Sequence, residues 1–199
     1  MKFILSLAAA AMLMISSAQA QHTSRHSAIG IKGGVNIYNL ETDPDNNLDS
    51  KIGFNAGLLG HVHLNKMWAL QPEITYSSQG AKGEIFGTDY KLNLGYINVP
   101  VLVQYMFDNG FRIEAGPQVG FLINAKTKAG GTETDVKDNF KTVDFGIGAG
   151  LSYVHPPTGL GIDARYNLGL SNINDNSSVN EVKNRGAQIG IFYLINHKH

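Results

Sequence analysis

Apolar and polar residues alternate with a period of two in eight separate stretches of this chain. Successive side chains of a β-strand point to opposite sides, so this alternation predicts strands with one apolar face and one polar face. The stretches cover residues 28–38, 51–64, 68–77, 92–105, 111–123, 142–153, 160–170 and 186–195. In the fourth stretch, the apolar face carries Leu92, Leu94 and Tyr96, and the pattern then slips by one residue before Ile97. The slip predicts a β-bulge at this point.

The connections between these stretches alternate in length. The short ones cover residues 65–66, 108–110 and 156–158, and the long ones cover 39–50, 80–90, 125–139 and 172–184. Two of the short connections contain turn-forming residues, namely Asp108-Asn109-Gly110 and Pro156-Pro157. Short periplasmic turns and longer extracellular loops are typical of outer-membrane barrels. We therefore predict an all-β fold: an eight-stranded antiparallel up-and-down transmembrane β-barrel over residues 28–196.

A soluble β-sandwich or a lipocalin-like barrel also has alternating strands. The polar faces of the present strands carry too few charges to cover a solvated surface, and many of their residues are glycine. Aromatic residues such as Trp68, Tyr105 and Phe111 lie near strand ends, where the aromatic girdles of membrane barrels form. Both observations favour a barrel with its apolar face towards lipid.

The first twenty residues have the pattern of a secretory signal peptide. Lys2 precedes an apolar run over residues 3–15, and Ala18-Gln19-Ala20 fits the small-residue cleavage rule. The apolar run is too short to span a hydrocarbon core of about 30 Å. We predict a signal peptide over residues 1–20, a mature chain that begins at Gln21 with a tail over 21–27, and export to the outer membrane.

Composition excludes several classes of function. The formal net charge is zero without basic or acidic blocks, which argues against nucleic acid as a partner. The chain has no cysteine, so disulfides, thiolate catalysis and lipid anchoring at a cysteine are excluded. The expected partners are outer-membrane lipid and an unidentified extracellular or periplasmic ligand that binds the long loops.

Charged residues on the polar strand faces form the candidate site. In a barrel these faces point into the lumen, where a buried charge must be paired. Eight strands leave an interior just wide enough to be filled by side chains. We therefore predict a structural cluster of paired charges that plugs the lumen, with Arg112 and Glu114 beside Asp144. The members of this lumenal charge cluster are Lys32, Glu73, Arg112, Glu114, Asp144, Asp163 and Arg165.

Glycine-rich stretches within the strands do not resemble phosphate-binding loops. Gly33-Gly34 and Gly146-x-Gly148-x-Gly150 fall inside period-two segments and no helix follows them. We interpret these glycines as room for large neighbours in a narrow lumen.

Two alternatives remain for the function. In a small pore for ions or solutes, the same charges would line water instead of pairing. In a lipid-modifying enzyme, Glu73, Glu114, Asp144 and Asp163 would form an acid–base set. The His22–Ser24 spacing lies in the predicted tail, and His61 and His63 have the spacing of a two-histidine metal pair. We interpret these two histidines as lumenal residues, and we predict no catalytic residue, cofactor or metal.

Several motifs resemble the PorT-like outer-membrane β-barrel proteins of Gram-negative bacteria. They occur along the chain in the family's order: GIKGGVN at 30–36, LQPEITYS at 70–77, YINVP at 96–100, EAGP at 114–117, VDFGIG at 143–148 and DARYNLGL at 163–170. The resemblance implies a barrel fold and an outer-membrane location. It does not imply an activity, because the family is defined by its architecture.

Overall fold

A computed structural model describes residues 27–43, 48–85, 88–175 and 181–195. The predicted signal peptide, most of the predicted tail with its His22–Ser24 spacing, and the C-terminal residues 196–199 lie outside these ranges. The domain boundaries derived from the sequence therefore stay predictions.

Nine strands occur in the described part of the chain. They are β1 (Ser27–Asp43), β2 (Asp49–His63), β3 (Trp68–Ile85), β4 (Thr88–Met106), β5 (Phe111–Ala129), β6 (Thr132–Asp135), β7 (Val143–Val154), β8 (Leu160–Gly169) and β9 (Glu181–Ile195). A 3-10 turn covers Lys137–Asn139. Over the same residues, no helix is both long enough and apolar enough to cross a membrane.

Eight of these strands form a closed antiparallel ring, and β6 is a short hairpin partner of β5. Around the ring the order is β1, β2, β3, β4, β5, β7, β8 and β9, and pairing between β9 and β1 closes it. All these pairings are antiparallel. The predicted eight-stranded up-and-down barrel is confirmed. Closure leaves no sheet edge exposed to hydrocarbon.

The walls of the barrel extend further than the alternation predicts. The segment 80–90, which we expected to be a long loop, belongs mostly to β3 and β4, which remain paired up to Ile85 and Thr88. Likewise β5 continues to Ala129 and turns into β6 within the expected loop 125–139. Alternation is weak in these segments because their outer face is polar while their inner face packs against an apolar core. The prediction of long irregular loops was therefore wrong here.

The two faces of the wall have inverted polarity relative to a soluble protein. Apolar side chains cover the outer surface, with Ile147 46% and Ile162 58% exposed, while polar side chains are buried inside. At the end with the short turns, Trp68, Tyr105, Phe107 and Phe111 contact one another in sequence, with ring centroids 5.1 to 5.7 Å apart. This row has the position of a periplasmic aromatic girdle.

The predicted β-bulge exists, but on the other strand of the pair. The register between β4 and β5 shifts at Gly95/Tyr96: Gly95 pairs with Asn124 and Tyr96 pairs with Leu122. Ile123 is therefore the extra residue, and it lies on β5. Strand β4 keeps one alternation throughout, so Leu92, Leu94 and Tyr96 are buried inside the barrel and do not face lipid. The apparent slip arose because the inner face of β4 becomes apolar above this point.

Candidate functional site

Five of the seven predicted lumenal charges meet in one network at the centre of the barrel. Lys32 on β1, Glu73 on β3, Glu114 on β5, and Asp163 and Arg165 on β8 point inward. Each of these side chains is at most 2% exposed. Strand alternation explains the convergence, because each residue occupies an inward position of its strand.

Arg165 is the centre of this network. Its Nη2 and Nη1 donate to Oε1 and Oε2 of Glu73 at 2.8 and 3.1 Å, in a bidentate arrangement. Its Nε and Nη2 also donate to Oε1 of Glu114 at 3.1 and 2.8 Å. Charge-assisted bidentate pairs are among the stronger hydrogen bonds of proteins. One guanidinium therefore joins three strands of the wall.

Lys32 completes the network on the other side of Glu73. Its ammonium lies 3.3 Å from Oε2 of Glu73 and 3.1 Å from Oδ2 of Asp163. Two cations thus contact three carboxylates. Because the group is buried, every pair is protected from the screening that weakens surface ion pairs.

Neutral amides and a hydroxyl, which the sequence analysis did not single out, extend the network. Gln71 donates to Glu73 at 2.8 Å, and Gln104 donates to Glu114 at 2.7 Å and to Gln71 at 2.9 Å. Ser152 lies 3.5 Å from Glu114. Gln71 lies two residues before Glu73 and therefore on the same inward face of β3, so the alternation of residues could have identified it. Gln104 lies on the inner face of β4, opposite to the apolar positions Val101 and Val103, so the pattern contained this signal as well.

Arg112 and Asp144 lie apart from this network. Arg112 is nearer the periplasmic end, where its Nη1 is 3.5 Å from Nδ1 of His61. Asp144 pairs across the sheet with Gly120 and accepts hydrogen bonds from Ser171 at 2.7 Å and Asn184 at 2.8 Å. The expectation that Arg112 and Glu114 lie beside Asp144 was wrong. The residue of β5 that lies opposite Asp144 is Gly120, which is six or more positions beyond Glu114 and Arg112 along that strand.

Some of the strand glycines leave space for close neighbours inside the barrel, and Gly148 on β7 makes room for the side chain of Arg165 on the adjacent strand β8. A Cβ at Gly148 would lie 2.7 Å from Oδ1 of Asn167 and 3.2 Å from Cδ of Arg165. At Gly34 it would lie 2.3 Å from the carbonyl oxygen of Ile189 in the next strand. Gly33 differs, because it faces outward and a Cβ there would meet only one atom, at 3.7 Å. The interpretation of the glycines as lumenal room is therefore wrong for Gly33.

Apolar layers close the lumen on both sides of the charges. The periplasmic layer consists of Ala28, Leu59, Val154, Phe192 and Leu194. The extracellular layer consists of Leu40, Ala81, Leu92, Leu94, Tyr96, Leu122, Ala125 and Ile173.

The connection after β8 contributes to the extracellular layer. Ile173 is fully buried, and its backbone donates to Val182 O and accepts from Lys141 N, both at 2.8 Å. This segment therefore lies between β7 and β9 like a continuation of the wall. Phe140 and Val136 pack against the same layer.

The chemistry available in the lumen is mainly that of fixed ion pairs. The rings of His61 and His63 contact edge to face, with centroids 4.6 Å apart. Among the residues that the structure describes, no group of three or more His, Asp or Glu side chains is arranged to hold a metal ion. The acceptor oxygens of Glu73 and Glu114 are engaged by the donors described above, which orients both carboxylates towards the network.

A closed ring of eight antiparallel strands, apolar outside and filled with polar and charged side chains inside, defines a small outer-membrane β-barrel protein. The family model named "Outer membrane protein beta-barrel domain" matches residues 18–175, and the chain belongs to this family. The protein is accordingly located in the outer membrane. No curated protein sequence matches it.

Solved structures of other barrels share the fold. Neisserial surface protein A is 16% identical, with a TM-score of 0.57 over 84% of this chain and 98% of that chain. Ail, the attachment invasion locus protein of Yersinia pestis, is 20% identical, with a TM-score of 0.52 over 85% of this chain and 99% of its own. A second structure of Ail contains the heparin analogue sucrose octasulfate and has a TM-score of 0.52 at 18% identity.

Proposed function

We propose that this protein is a plugged, non-catalytic barrel that acts at the cell surface, in a structural or interaction role. The observation that carries the proposal is the closed lumen, with a paired charge network between two apolar layers. The quoted sequence motifs support placing it in the PorT-like group of its family. A secretion role is not part of the proposal.

A plug explains the arrangement better than a pore. An ion passing through would need to displace Arg165 from Glu73 and Glu114, which exposes buried charges that are expensive to leave unpaired. It would also have to cross both apolar layers, and apolar constrictions exclude water and ions by dewetting. The network of two cations and three carboxylates has one excess negative charge, and Arg112, nearer the periplasmic end, balances it. This half of the lumen therefore has little net charge to attract an ion.

Conductance across a planar lipid bilayer tests the closed lumen. The purified full chain should insert without producing current steps above the bare bilayer. Steps of uniform size in the native protein would favour the pore, the second of our candidate functions. Turnover of a lipid substrate would favour the enzyme, for which the four carboxylates are the candidate residues.

A row of three lysines marks the extracellular part of the wall as the candidate interaction surface. Lys82 on β3 pairs directly with Lys91 on β4, which pairs directly with Lys128 on β5. Side chains of directly paired residues point to the same face, and like charges in this arrangement destabilise a sheet. Lys91 and Lys128 are exposed and Lys82 is partly exposed. An anionic ligand would relieve this repulsion.

The surroundings of the lysine row restrict what it can bind. Glu133 on β6 pairs directly with Lys128 and forms an ion pair with Lys126, and the next pair outward is Glu84 opposite Asp89. A ligand must therefore place its negative groups directly against the three lysines. A sulfated or phosphorylated sugar carries several anionic groups close together and could do so. The Ail complex with a heparin analogue suggests sucrose octasulfate as a probe. The proposal for this chain rests on its own lysines.

Binding of sucrose octasulfate to the full chain in lipid nanodiscs tests this surface. We expect binding that weakens with added salt and falls severalfold in Lys91→Gln, because each exposed contact is electrostatic. Lys66→Gln is the matched control, because Lys66 lies in a turn at the opposite end of the barrel. No binding by the native protein, or equal loss in both variants, would contradict the proposal.

A further inference from the structure

Asp144 is a buried carboxylate that no cationic side chain of the described chain neutralises. Its residue is 8% exposed, and it takes part in none of the ion pairs that the described residues form. The three carboxylates of the charge network, in contrast, each contact a lysine or an arginine. A buried charge is costly unless a counter-charge accompanies it. Asp144 therefore needs either a proton or a bound cation.

The hydrogen bonds around Asp144 favour its ionised form. Oγ of Ser171 accepts from the N–H of Phe145 at 2.8 Å and donates its own proton to Oδ1 of Asp144 at 2.7 Å. Nδ2 of Asn184 donates to Oδ2 of Asp144 at 2.8 Å. A protonated Asp144 would itself be a donor and would oppose one of these two donors. Both of its oxygens act as acceptors, so the counter-charge is a cation and not a proton.

Lys51 is the buried cation of the extracellular half of the lumen, within the residues that the structure describes, and it does not reach Asp144. It lies on β2, four steps around the ring from β7 and therefore on the opposite wall. Its Nζ donates to Oγ of Ser78 at 3.2 Å and to the carbonyl oxygen of Gln79 at 2.9 Å. These contacts hold Lys51 against β3.

A space inside the barrel adjoins Asp144. Gly120 on β5 pairs with Asn98 on β4 and with Asp144 on β7. A Cβ at Gly120 would lie 2.8 Å from Oδ1 of Asn98, 3.2 Å from Cδ1 of Tyr96 and 3.7 Å from Cβ of Asp144. Because glycine has no side chain, Tyr96, Asn98 and Asp144 converge around this position.

Two buried oxygen atoms beside this space have no hydrogen-bond partner of adequate geometry in the described part of the chain. They are Oη of Tyr96 and Oδ1 of Asn184, whose residues are 1% and 4% exposed. The Tyr96 hydroxyl lies close to both Asn184 and Asp144. A buried oxygen without a partner is costly. A water molecule would satisfy these oxygens but would leave the charge of Asp144 unbalanced, whereas a hard cation, which takes oxygen ligands, satisfies both.

The charge of the site selects a monovalent ion. One carboxylate balances one positive charge, whereas Ca²⁺ would leave an excess positive charge buried, and Mg²⁺ usually keeps several of its waters. We propose that Asp144, Tyr96 and Asn184 bind one sodium ion, with Oδ1 of Asn98 as a further ligand. The ion enters from the extracellular side beside the partly exposed Ser171. The sequence analysis considered histidine and carboxylate sets, so it did not identify a site made mainly of neutral oxygens.

Urea unfolding of the full chain in phosphatidylcholine vesicles tests the proposal, with sodium exchanged for N-methylglucamine at constant ionic strength. A ligand that binds only the folded state raises the ratio of folded to unfolded protein, by up to about tenfold for each tenfold rise in ligand concentration. We expect this dependence on sodium in the native protein and its loss in Asp144→Asn, which keeps the shape but not the charge. Asp138→Asn, at an exposed extracellular position, is the matched control and should respond like the native protein. A native protein that does not respond to sodium, or equal responses in all three proteins, would overturn the proposal.

Tyr96→Phe tests the same site if Asp144→Asn does not fold. It removes one ligand oxygen and keeps the ring in the extracellular layer, so we expect the response to need severalfold more sodium. If no ion is bound, the change only removes a buried hydroxyl without a partner, and stability should rise equally at every sodium concentration, which would overturn the proposal. Tyr90→Phe is the matched control, because the ring of Tyr90 packs against the same layer. Stabilisation of the native protein by calcium but not by sodium would overturn the assignment of a monovalent ion.

Discussion

Arg165 on β8 and Glu73 on β3 form a bidentate ion pair across the full width of the barrel. Four steps around the ring of eight separate the two strands in either direction, so they lie opposite each other. The N–O distances are 2.8 and 3.1 Å, and both side chains are 1% exposed. The pair therefore acts as a strut between opposite walls, and it occupies the space through which a solute would have to pass.

Removing this strut should destabilise the barrel strongly. Arg165→Ala leaves Glu73 and Glu114 with reduced compensation in a buried site, for which we expect a loss of about 3–5 kcal/mol in the free energy of unfolding. The measurement is the urea unfolding midpoint in lipid vesicles. Conductance should remain absent, because the two apolar layers still close the lumen.

The ion pair between Arg185 and Glu41 provides the matched control. It joins β9 to β1 in the extracellular wall, at 3.3 Å, with side chains 42% and 54% exposed. Arg185→Ala should therefore cost at most about 1 kcal/mol. An unchanged midpoint in Arg165→Ala, together with altered ion selectivity, would contradict the plugged barrel and support a water-filled lumen.

A charged residue on the outer face should lower the stability of the barrel only where that face contacts hydrocarbon. An arginine at Ile147, midway along β7, should lower the stability by about 2–4 kcal/mol, because it must enter hydrocarbon. Thr132→Arg, in the exposed hairpin beyond the membrane, should have almost no effect. Refolding into vesicles at a series of urea concentrations measures both. Similar midpoints for the two variants would refute the assignment of faces.

Ile173 should hold the extracellular layer closed. Ile173→Ala removes a fully buried side chain from that layer, which should cost about 2–5 kcal/mol. Limited proteolysis of intact vesicles should then cleave near residues 170–175 more readily. Leu170→Ala, at a position that is 59% exposed, is the control and should behave like the native protein. Resistance to protease equal to that of the native protein would mean that this segment does not depend on the apolar layer.

Processing at the amino terminus is a prediction from the sequence alone. Because Ala18-Gln19-Ala20 follows an apolar run, the protein recovered from outer-membrane fractions should begin at Gln21. Mass spectrometry of the intact protein decides this. Retention of Met1 in that fraction would rule out the proposed cleavage.

Sequence alone predicted the membrane-spanning part of the barrel because hydrocarbon imposes strict alternation on both faces. That alternation places Lys32, Glu73 and Arg165 on the inward faces of their strands, as the structure has them. Alternation failed in the extracellular part of the wall, where Leu92 and Leu94 face an apolar interior. There the usual relation between apolarity and lipid contact is reversed, so the pattern suggested a slip on β4 and concealed the extra residue Ile123 on β5.

Partners across the lumen could not be predicted from strand pattern. Periodicity tells which face a side chain occupies. It does not tell the height of a strand, meaning how far that strand is shifted along the barrel axis relative to another. This height depends on the stagger of the ring, which the bulge on β5 changes. For this reason Asp144 was expected beside Glu114, whereas it lies opposite Gly120 near the extracellular layer. The same stagger brings Arg165 and Glu73 together although 92 positions separate them in the chain.

The pairing between β1 and β9 has a consequence for the order of folding. Ile29 pairs with Ile195, so the first described strand finds one of its two neighbours only when the last strand has been made. Until then β1 has an open edge of unpaired N–H and C=O groups, which hydrocarbon does not tolerate. The edge of β1 must therefore be paired with β9, or covered in some other way, whenever β1 lies in hydrocarbon.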